Sequence, residues 1–305
     1  MTRATDARAS HAGTIPGGHV LRYTRTVMAI DLTGLVIVAL APTLVPDRTA
    51  DYFAWTIAVP MVAGLIGAGY ASALPSLLWA LSIREWLRVR IIIVAGLALT
   101  SLILLFTLRD LSLFHLTEGP GTAIFVGWVW LVAYVCLPPL NVVALVLQER
   151  VHRASPEPVA WPILPVTRIA FVAGAGVLGV FGFLLLFAFG SLEDIWPFGL
   201  TRLGAGAHGQ WFLTIAVAMA WSARENDWWR VRLLAPFYPL FFAFVLLQAA
   251  RTSGDLAGGT ETTVFVGAFA VSAVVFTILM LTEERRYRSR APAGSTAGGH
   301  AVARP

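Results

Sequence analysis

The sequence predicts an all-α membrane protein whose eight transmembrane helices form two parallel four-helix repeats. Three observations support this prediction: the high content of apolar residues, the one-sided distribution of arginine, and a correspondence between the two halves of the chain. The mean hydropathy is +0.75 and only 13% of the residues are charged, whereas roughly a quarter of the residues are charged in a soluble domain.

Eight apolar segments are long enough to cross a bilayer, because a transmembrane helix needs about 20 predominantly apolar residues. They lie near residues 27–45, 54–81, 91–108, 122–147, 169–190, 205–223, 233–250 and 263–281. The connections between them are short and leave no room for a soluble domain. Any activity is therefore expected between the helices, at the two faces of the membrane, or through a partner.

Arginine indicates the orientation of the chain, which contains no lysine. With the N-terminus inside, all but four of the 22 arginines lie on the cytoplasmic side, and the exceptions are Arg48, Arg109, Arg202 and Arg251. This positive-inside bias predicts that both termini lie in the cytoplasm. The membrane itself is expected to be a bacterial cytoplasmic membrane. The net charge of +5 then reflects topology, and no nucleic-acid partner is expected.

The second half of the chain repeats the first. Trp86 and Trp228 are 142 positions apart, and the same separation relates a longer set of identical residues: Arg88, Arg90 and Arg109 with Arg230, Arg232 and Arg251. The separation is 143 near Thr24 and 140 near Thr122, as expected for a tandem duplication with changes in its loops. Because each repeat has an even number of spans, the halves should be parallel and related by an axis along the membrane normal.

These features divide the chain into five segments. Residues 1–22 are predicted to be a disordered cytoplasmic N-terminus, 23–148 the first repeat, 149–166 a cytoplasmic linker, 167–284 the second repeat, and 285–305 a basic and then disordered cytoplasmic tail. The linker contains Pro156, Pro158, Pro162 and Pro165, which disfavour a helix.

Three positions are candidates for binding or transport because they place charge against the hydrocarbon region. Arg109 and Arg251 occupy corresponding outer ends of the third and seventh spans, where two-fold symmetry would bring them to one vestibule that attracts anions. The alternative is that each arginine reaches the interface or pairs with Asp110 or Asp255. Asp31 is an intramembrane carboxylate, which indicates a proton or cation site, although near a helix N-terminus the helix dipole also favours an acid.

The fourth predicted span contains Pro138 and Pro139, followed by Asn141 and preceded by Tyr134. Consecutive prolines remove two amide donors, so this helix is expected to bend or break. Discontinuous helices beside polar side chains often line transport sites. These four residues are therefore also candidates for a substrate site.

The turn after the second span, with Trp86, Arg88 and Arg90, matches the turn with Trp228, Arg230 and Arg232. The pattern is typical of interfacial anchors, with Trp at the level of the lipid head groups. The alternative is that these residues bind an anionic lipid or a partner protein.

No cofactor or metal is predicted. His115 and His208 lack the spacing of a metal or haem site, and the single cysteine, Cys136, excludes cysteine-rich zinc and iron–sulfur sites. Acids occur on the outer side of both halves: Asp47, Asp51, Glu193 and Asp194. They keep a lipid-acting enzyme open as a hypothesis, but no catalytic motif accompanies them.

The segments 53–57 (FAWTI), 67–70 (GAGY) and 196–201 (WPFGLT) resemble those of a group of eight-span membrane proteins of actinobacterial type that has no assigned activity. The resemblance covers most of the membrane region. It implies an eight-span fold and supplies no catalytic residues.

Three functional hypotheses follow. The first is a small-solute or ion transporter or channel with its site between the two repeats. The second is a non-catalytic membrane subunit that stabilises a protein partner, and the third is a membrane enzyme acting on lipid. The lipid bilayer is a partner in each case.

Overall fold

The computed structural model describes residues 18–152 and 158–290. The prediction of an all-α fold is confirmed for these residues, where β-structure is limited to two isolated bridges, His19 to Glu85 and Pro162 to Asp227. Eight long helices follow one another: α1 Arg22–Leu44, α2 Pro60–Ser82, α3 Trp86–Arg109, α4 Gly121–Val151, α5 Pro165–Phe187, α6 Arg202–Glu225, α7 Phe237–Arg251 and α8 Gly259–Arg290. Two short helical segments, Thr49–Tyr52 and Trp228–Val231, lie in the connections.

Seven segments of the described chain are long and apolar enough to cross a membrane. They are α1 to α5, Trp228–Arg251, which includes α7, and α8. The remaining long helix, α6, corresponds to the predicted span at 205–223, but His208, Gln210 and several glycines lower its hydropathy. Most of the residues of α6 are buried by neighbouring helices, so this helix does not need an apolar surface toward lipid.

Helix α6 nevertheless runs the full length of the bundle. Its first residue, Arg202, forms an ion pair with Asp110 at the end of α3, with 2.6 Å between Nε and Oδ1. At its last residue, Glu225 forms an ion pair with Arg90 at the beginning of α3, with 2.6 Å between Oε1 and Nη2. The two ends of α6 therefore lie at opposite ends of the bundle.

The helices pack in a pattern that is similar in the two halves of the chain. Within the halves, α1 packs on α2 and α5 on α6, while α3 packs on α4 and α7 on α8. Between the halves, α2 packs on α7 and α3 on α6, and α2 also contacts α6. The four helices α2, α3, α6 and α7 thus form the centre, and α1, α4, α5 and α8 have mostly lipid-type apolar surfaces.

The contact between α5 and α6 depends on two glycines. A β-carbon on Gly182 would lie 2.8 Å from the backbone nitrogen of Leu213, and one on Gly209 would lie 2.8 Å from the carbonyl oxygen of Gly182. The two backbones therefore touch, which is a common source of helix association in a bilayer, where hydrophobic burial provides no driving force. Gly67 forms a corresponding contact in the first half, against the backbone of Thr43 in α1.

The beginnings of α1 and α5 are held in the same way. The amide of Leu21 donates to Oε1 of Gln148, with an N···O distance of 3.0 Å, and the amide of Leu164 donates to Oε1 of Glu283 over 2.7 Å. In both halves the last helix thus supplies a side chain that satisfies an amide just before the first helix.

One sequence prediction needs correction, and others concern residues outside the described part of the chain. Helix α4 is continuous from Gly121 to Val151, so the predicted break at Pro138 and Pro139 is wrong, while the alternative of a bend stays a prediction; Asn141 Nδ2 donates to the carbonyl of Leu137 in the same helix over 3.1 Å. The predicted disordered segments at 1–17 and 291–305 lie outside the described residues, as do residues 153–157 of the linker.

We predict that Gly182→Val separates α5 from α6 and destabilises the protein by about 2 kcal/mol, the usual cost of overpacking. The matched control is Gly176→Val in the same helix, where a β-carbon would have no neighbour within 4 Å. Thermal unfolding of the two variants in the same detergent measures the effect. Equal melting temperatures for the two variants would contradict this account of the contact.

Candidate functional site

A cavity of about 100 Å³ lies within the first half of the bundle. Helices α1, α2, α3 and α4 form most of its wall, and α6 and the beginning of α7 close it from the second half. Gly34 of α1 lines the cavity and is also exposed at the surface. The cavity therefore approaches the molecular surface along α1.

Asp31 is the acidic residue of the cavity wall. Helix α1 begins at Arg22, so Asp31 lies nine residues inside the helix, or about 13 Å along its axis. The dipole of a helix acts mainly within its first turn. The interpretation of Asp31 as a residue placed by the helix dipole is therefore not supported by this position.

The carboxylate of Asp31 has few partners. Its Oδ2 accepts one long hydrogen bond, 3.5 Å, from Nδ2 of Asn141, and its Oδ1 is buried without a hydrogen-bond partner among the described residues. None of the ion pairs found in the described chain includes Asp31. An unpaired buried carboxylate of this kind is costly and usually functional in a membrane protein.

Other polar atoms beside the cavity also lack a partner within the described chain. They are Oδ1 of Asn141, Oγ of Ser76 and Nε1 of Trp211. A β-carbon on Gly96 would lie 3.4 Å from Asn141 Oδ1 and 3.7 Å from Asp31 Oδ2. The two side chains thus present oxygen atoms to the same stretch of α3, where glycine leaves space.

Aromatic residues also line the cavity. The hydroxyl groups of Tyr70 and Tyr134 share a hydrogen bond of 2.7 Å, and the ring of Tyr70 packs edge-on against Trp211, with 5.1 Å between the centroids. Phe237 completes this part of the wall. The predicted candidate Tyr134 is therefore brought to the cavity with Asp31, while Asn141 lies next to Asp31.

The corresponding part of the second half is filled by large side chains. Where the first half has Asp31, Gly96 and Thr100, the second half has Gly174, Tyr238 and Phe242. Tyr238 and Phe242 are buried, and each packs on Phe276 with 5.5 Å between the centroids. The two halves therefore differ in chemistry at the cavity.

Arg109 and Arg251 each bind a carbonyl group of the opposite half, and the shared vestibule expected for them stays a prediction. Arg109 donates to the carbonyl of Leu186 in α5 and pairs with Asp110, while Arg251 donates to the carbonyl of Thr43 in α1 over 2.8 Å. Each arginine thus caps the last turn of the first helix of the opposite half, where free carbonyls favour a cation. The predicted pairing with Asp110 is found for Arg109, and Asp255 instead accepts from the amide of Met61.

The prediction of Trp86 and Trp228 as interfacial anchors is wrong for the indole rings, because both are enclosed by protein. Their exposed fractions are 0% and 2%. Nε1 of Trp86 donates to Glu149 over 3.1 Å, and Nε1 of Trp228 donates to Glu284 over 3.2 Å. A carboxylate at the end of α4 and of α8 makes this burial possible by satisfying the indole N–H.

The four arginines that accompany these tryptophans belong to a network between the halves. Arg90 pairs with Glu225 of the second half and lies 5.8 Å from the ring of Trp221. Arg232 lies 5.1 Å from the ring of Trp79 in the first half. Ion pairs within one half complete the network: Arg88 with Glu85, Arg230 with Glu225, and Arg232 with Glu284.

The histidines and outer acids are not brought together into a metal site. His115 shares a hydrogen bond with Thr56, whereas His208 is fully buried in the second half beside Phe198. Asp51 pairs with Arg48. In residues 18–152 and 158–290 no group of three His, Cys, Asp or Glu side chains is arranged to hold a metal ion.

Sequence reasoning missed several residues of the cavity, among them Tyr70, Ser76, Gly96, Thr100 and Trp211. The available signal was the set of positions at which the aligned halves differ in size or polarity. Gly96 against Tyr238 and Thr100 against Phe242 are two such positions. Agreement between the halves instead selected residues that hold the bundle together.

Comparison with protein-family models, curated proteins and solved structures finds no match to this chain. The resemblance to eight-span proteins of actinobacterial type therefore stays a prediction. The function has to be argued from the cavity and the helix arrangement.

We predict that Glu225→Gln destabilises the protein by about 3 kcal/mol, because it removes the carboxylate that pairs with both Arg90 and Arg230 and leaves Arg90 only the more distant Glu149, at 3.5 Å. The side chains of Arg90 and Glu225 are 18% and 9% exposed. The control is Asp51→Asn, which breaks the exposed Arg48 pair, with side chains 67% and 56% exposed, and should cost less than about 1 kcal/mol. Thermal unfolding in detergent compares the two, and an equal effect would refute the assigned role of Glu225.

Proposed function

We propose that the protein is a membrane transporter for a small solute and that the cavity around Asp31 is its substrate site. The main supporting observation is the unpaired carboxylate of Asp31 in a cavity of the first half. The corresponding space in the second half is filled by aromatic side chains. The second half has a similar helix packing with this space filled. The open, polar cavity of the first half is therefore not required for packing. A small concave site with few polar groups in an apolar wall is typical of ligand binding.

The arrangement of the helices supports eight spans in two parallel repeats. Helix α6 runs from one end of the bundle to the other, as an eighth span would. Contacts between the halves also occur in corresponding pairs: Arg109 binds the end of α5 while Arg251 binds the end of α1, and Arg90 faces Trp221 while Arg232 faces Trp79. Such reciprocal contacts are expected from an axis that relates two parallel halves.

This arrangement suggests how transport would occur. Residues of the second half, among them Trp211 and Phe237, close a cavity whose other lining residues belong to the first half. A rocking motion of one half against the other would change the opening of the cavity, as in other transporters built from repeats. The substrate site thus lies mainly in the first half, at its border with the second, and not on the axis between them.

We expect Thr100→Phe to abolish transport by filling the cavity with the residue type found at position 242. Thr100 lines the cavity, and its hydroxyl already bonds within its own helix, to the carbonyl of Gly96 over 2.8 Å. The test uses proteoliposomes and a panel of small cations, neutral molecules and anions. The wild type should move one class faster than protein-free vesicles, and Thr100→Phe should reduce that flux at least about tenfold.

The control for this test is Thr33→Phe. Thr33 is an exposed threonine of α1 that makes the same type of hydrogen bond, to the carbonyl of Ala29, and its replacement should leave both flux and melting temperature unchanged. A wild-type protein that moves none of the solutes, or a Thr100→Phe variant that transports normally, would remove the proposal.

The same proposal places the arginine-rich end of the bundle in the cytoplasm. After Cys136 has been replaced by Ser, single cysteines can be introduced at Glu118 and Val159, which are exposed at opposite ends. A membrane-impermeant maleimide added to intact cells should label Glu118→Cys and not Val159→Cys, and lysis should expose both. Labelling of only Val159→Cys in intact cells would reverse the orientation.

A further inference from the structure

We infer that the ligand of the cavity is a small alkylammonium ion, held with its nitrogen at Asp31 and its hydrocarbon part against the aromatic wall. This inference rests on the proposed function in so far as the cavity is a substrate site. It adds the chemical class of the substrate.

The first argument is the chemistry of the polar atoms without partners. Asp31 Oδ1 and Asn141 Oδ1 accept hydrogen bonds only, and the hydroxyl of Ser76 can also accept one. All three are buried without a partner among the described residues. A primary ammonium group carries three N–H donors and one positive charge, so it supplies both the donors and the charge that this end of the cavity lacks.

The second argument is the rest of the wall. Leu77, Ile92, Leu99 and Leu137 supply apolar surface, and Tyr70, Tyr134, Trp211 and Phe237 also line the cavity. Aromatic faces attract cations, and the aliphatic side chains exclude water from the hydrocarbon part of a ligand. An anion would meet the carboxylate without any arginine to balance it.

The third argument concerns size and the competing cations. A cavity of about 150 Å³ can hold one benzene molecule, so a cavity of about 100 Å³ suits a ligand of roughly four or five heavy atoms. A hard metal cation requires about six oxygen ligands, which is more than the few oxygens at this apolar cavity provide. An alkylammonium ion needs only the polar end.

The test is equilibrium binding to the purified full-length protein in detergent, measured by calorimetry with three molecules that share one skeleton. These are tert-butylammonium, tert-butanol and pivalate, which are a cation, a neutral molecule and an anion. The cation should bind at least about tenfold more tightly than either of the others, the effect expected for one charge-assisted contact. Sodium chloride at the same concentration should not compete.

Asp31→Asn should weaken binding of tert-butylammonium at least about tenfold and leave the weak binding of tert-butanol unchanged, while Asp31→Glu should retain part of the preference for the cation. Thr33→Phe serves as the unaffected control, and melting temperatures show whether each variant is folded. If Asp31→Asn does not fold, Ser76→Ala provides the second variant, with a smaller but selective loss for the cation.

Equal binding of the alcohol and the ammonium ion, tight binding of pivalate, displacement by sodium, or unchanged cation binding in a folded Asp31→Asn variant would each overturn this inference. Its failure is distinguishable from failure of the transporter proposal. Flux of a neutral solute that Thr100→Phe blocks, without ammonium binding, would retain transport and reject the ammonium ligand. Selective ammonium binding without any flux would retain the ligand and reject transport.

Discussion

The candidate site depends on the contact between the indole ring of Trp211 and the backbone of Gly69. A β-carbon on Gly69 would lie 2.7 Å from Cδ2 of Trp211, so no other residue type allows the indole to occupy this position. Gly69 and Trp211 are also 142 positions apart in the sequence, which places a large and an absent side chain at corresponding points of α2 and α6. The indole brings α6 against Tyr70 and thereby forms one wall of the cavity.

The contacts around this central pair explain why the two halves keep a fixed relation. In a bilayer, helices associate through close packing and internal polar contacts, because lipid is as apolar as the side chains that it would replace. At one end Arg109 and Arg251 bind carbonyls of the opposite half. At the other end Arg90 binds Glu225 of the second half. These arginines are largely occupied by the protein itself, which accounts for their repetition without any ligand.

Sequence reasoning predicted the helices well and the site only in part. The predicted span at 122–147 corresponds to Gly121–Val151, and that at 91–108 to Trp86–Arg109, which begins earlier because Trp86 and Arg90 are bound inside the arginine network. Hydropathy cannot show such burial, because it scores Trp and Arg in the same way at a lipid interface and inside a polar network. The pattern at Pro138 and Pro139 likewise could not decide between a bend and a break, because a bundle can compensate for lost amide donors, and the helix is continuous.

The cavity itself could not be predicted, because it results from incomplete packing among the side chains of six helices. The sequence pattern of a single helix does not contain that information. Asp31 was found as a candidate from its charge, and Tyr134 and Asn141 from their position beside Pro138 and Pro139, whereas neither signal points to Gly96 or Ser76.

The difference between the halves is the strongest reason to assign a function to the first half. A cavity costs about 24 cal/mol for each Å³, so a cavity of about 100 Å³ costs about 2 kcal/mol. A carboxylate in the membrane adds about 3 kcal/mol. Together these terms approach the total stability of about 5 to 15 kcal/mol that is common for a folded protein.

The second half avoids both terms with Gly174, Tyr238 and Phe242, so the same fold is compatible with a filled, uncharged interior. A ligand that neutralises Asp31 and occupies the space would recover much of the cost each time it binds, which is the energetic property that a substrate site requires.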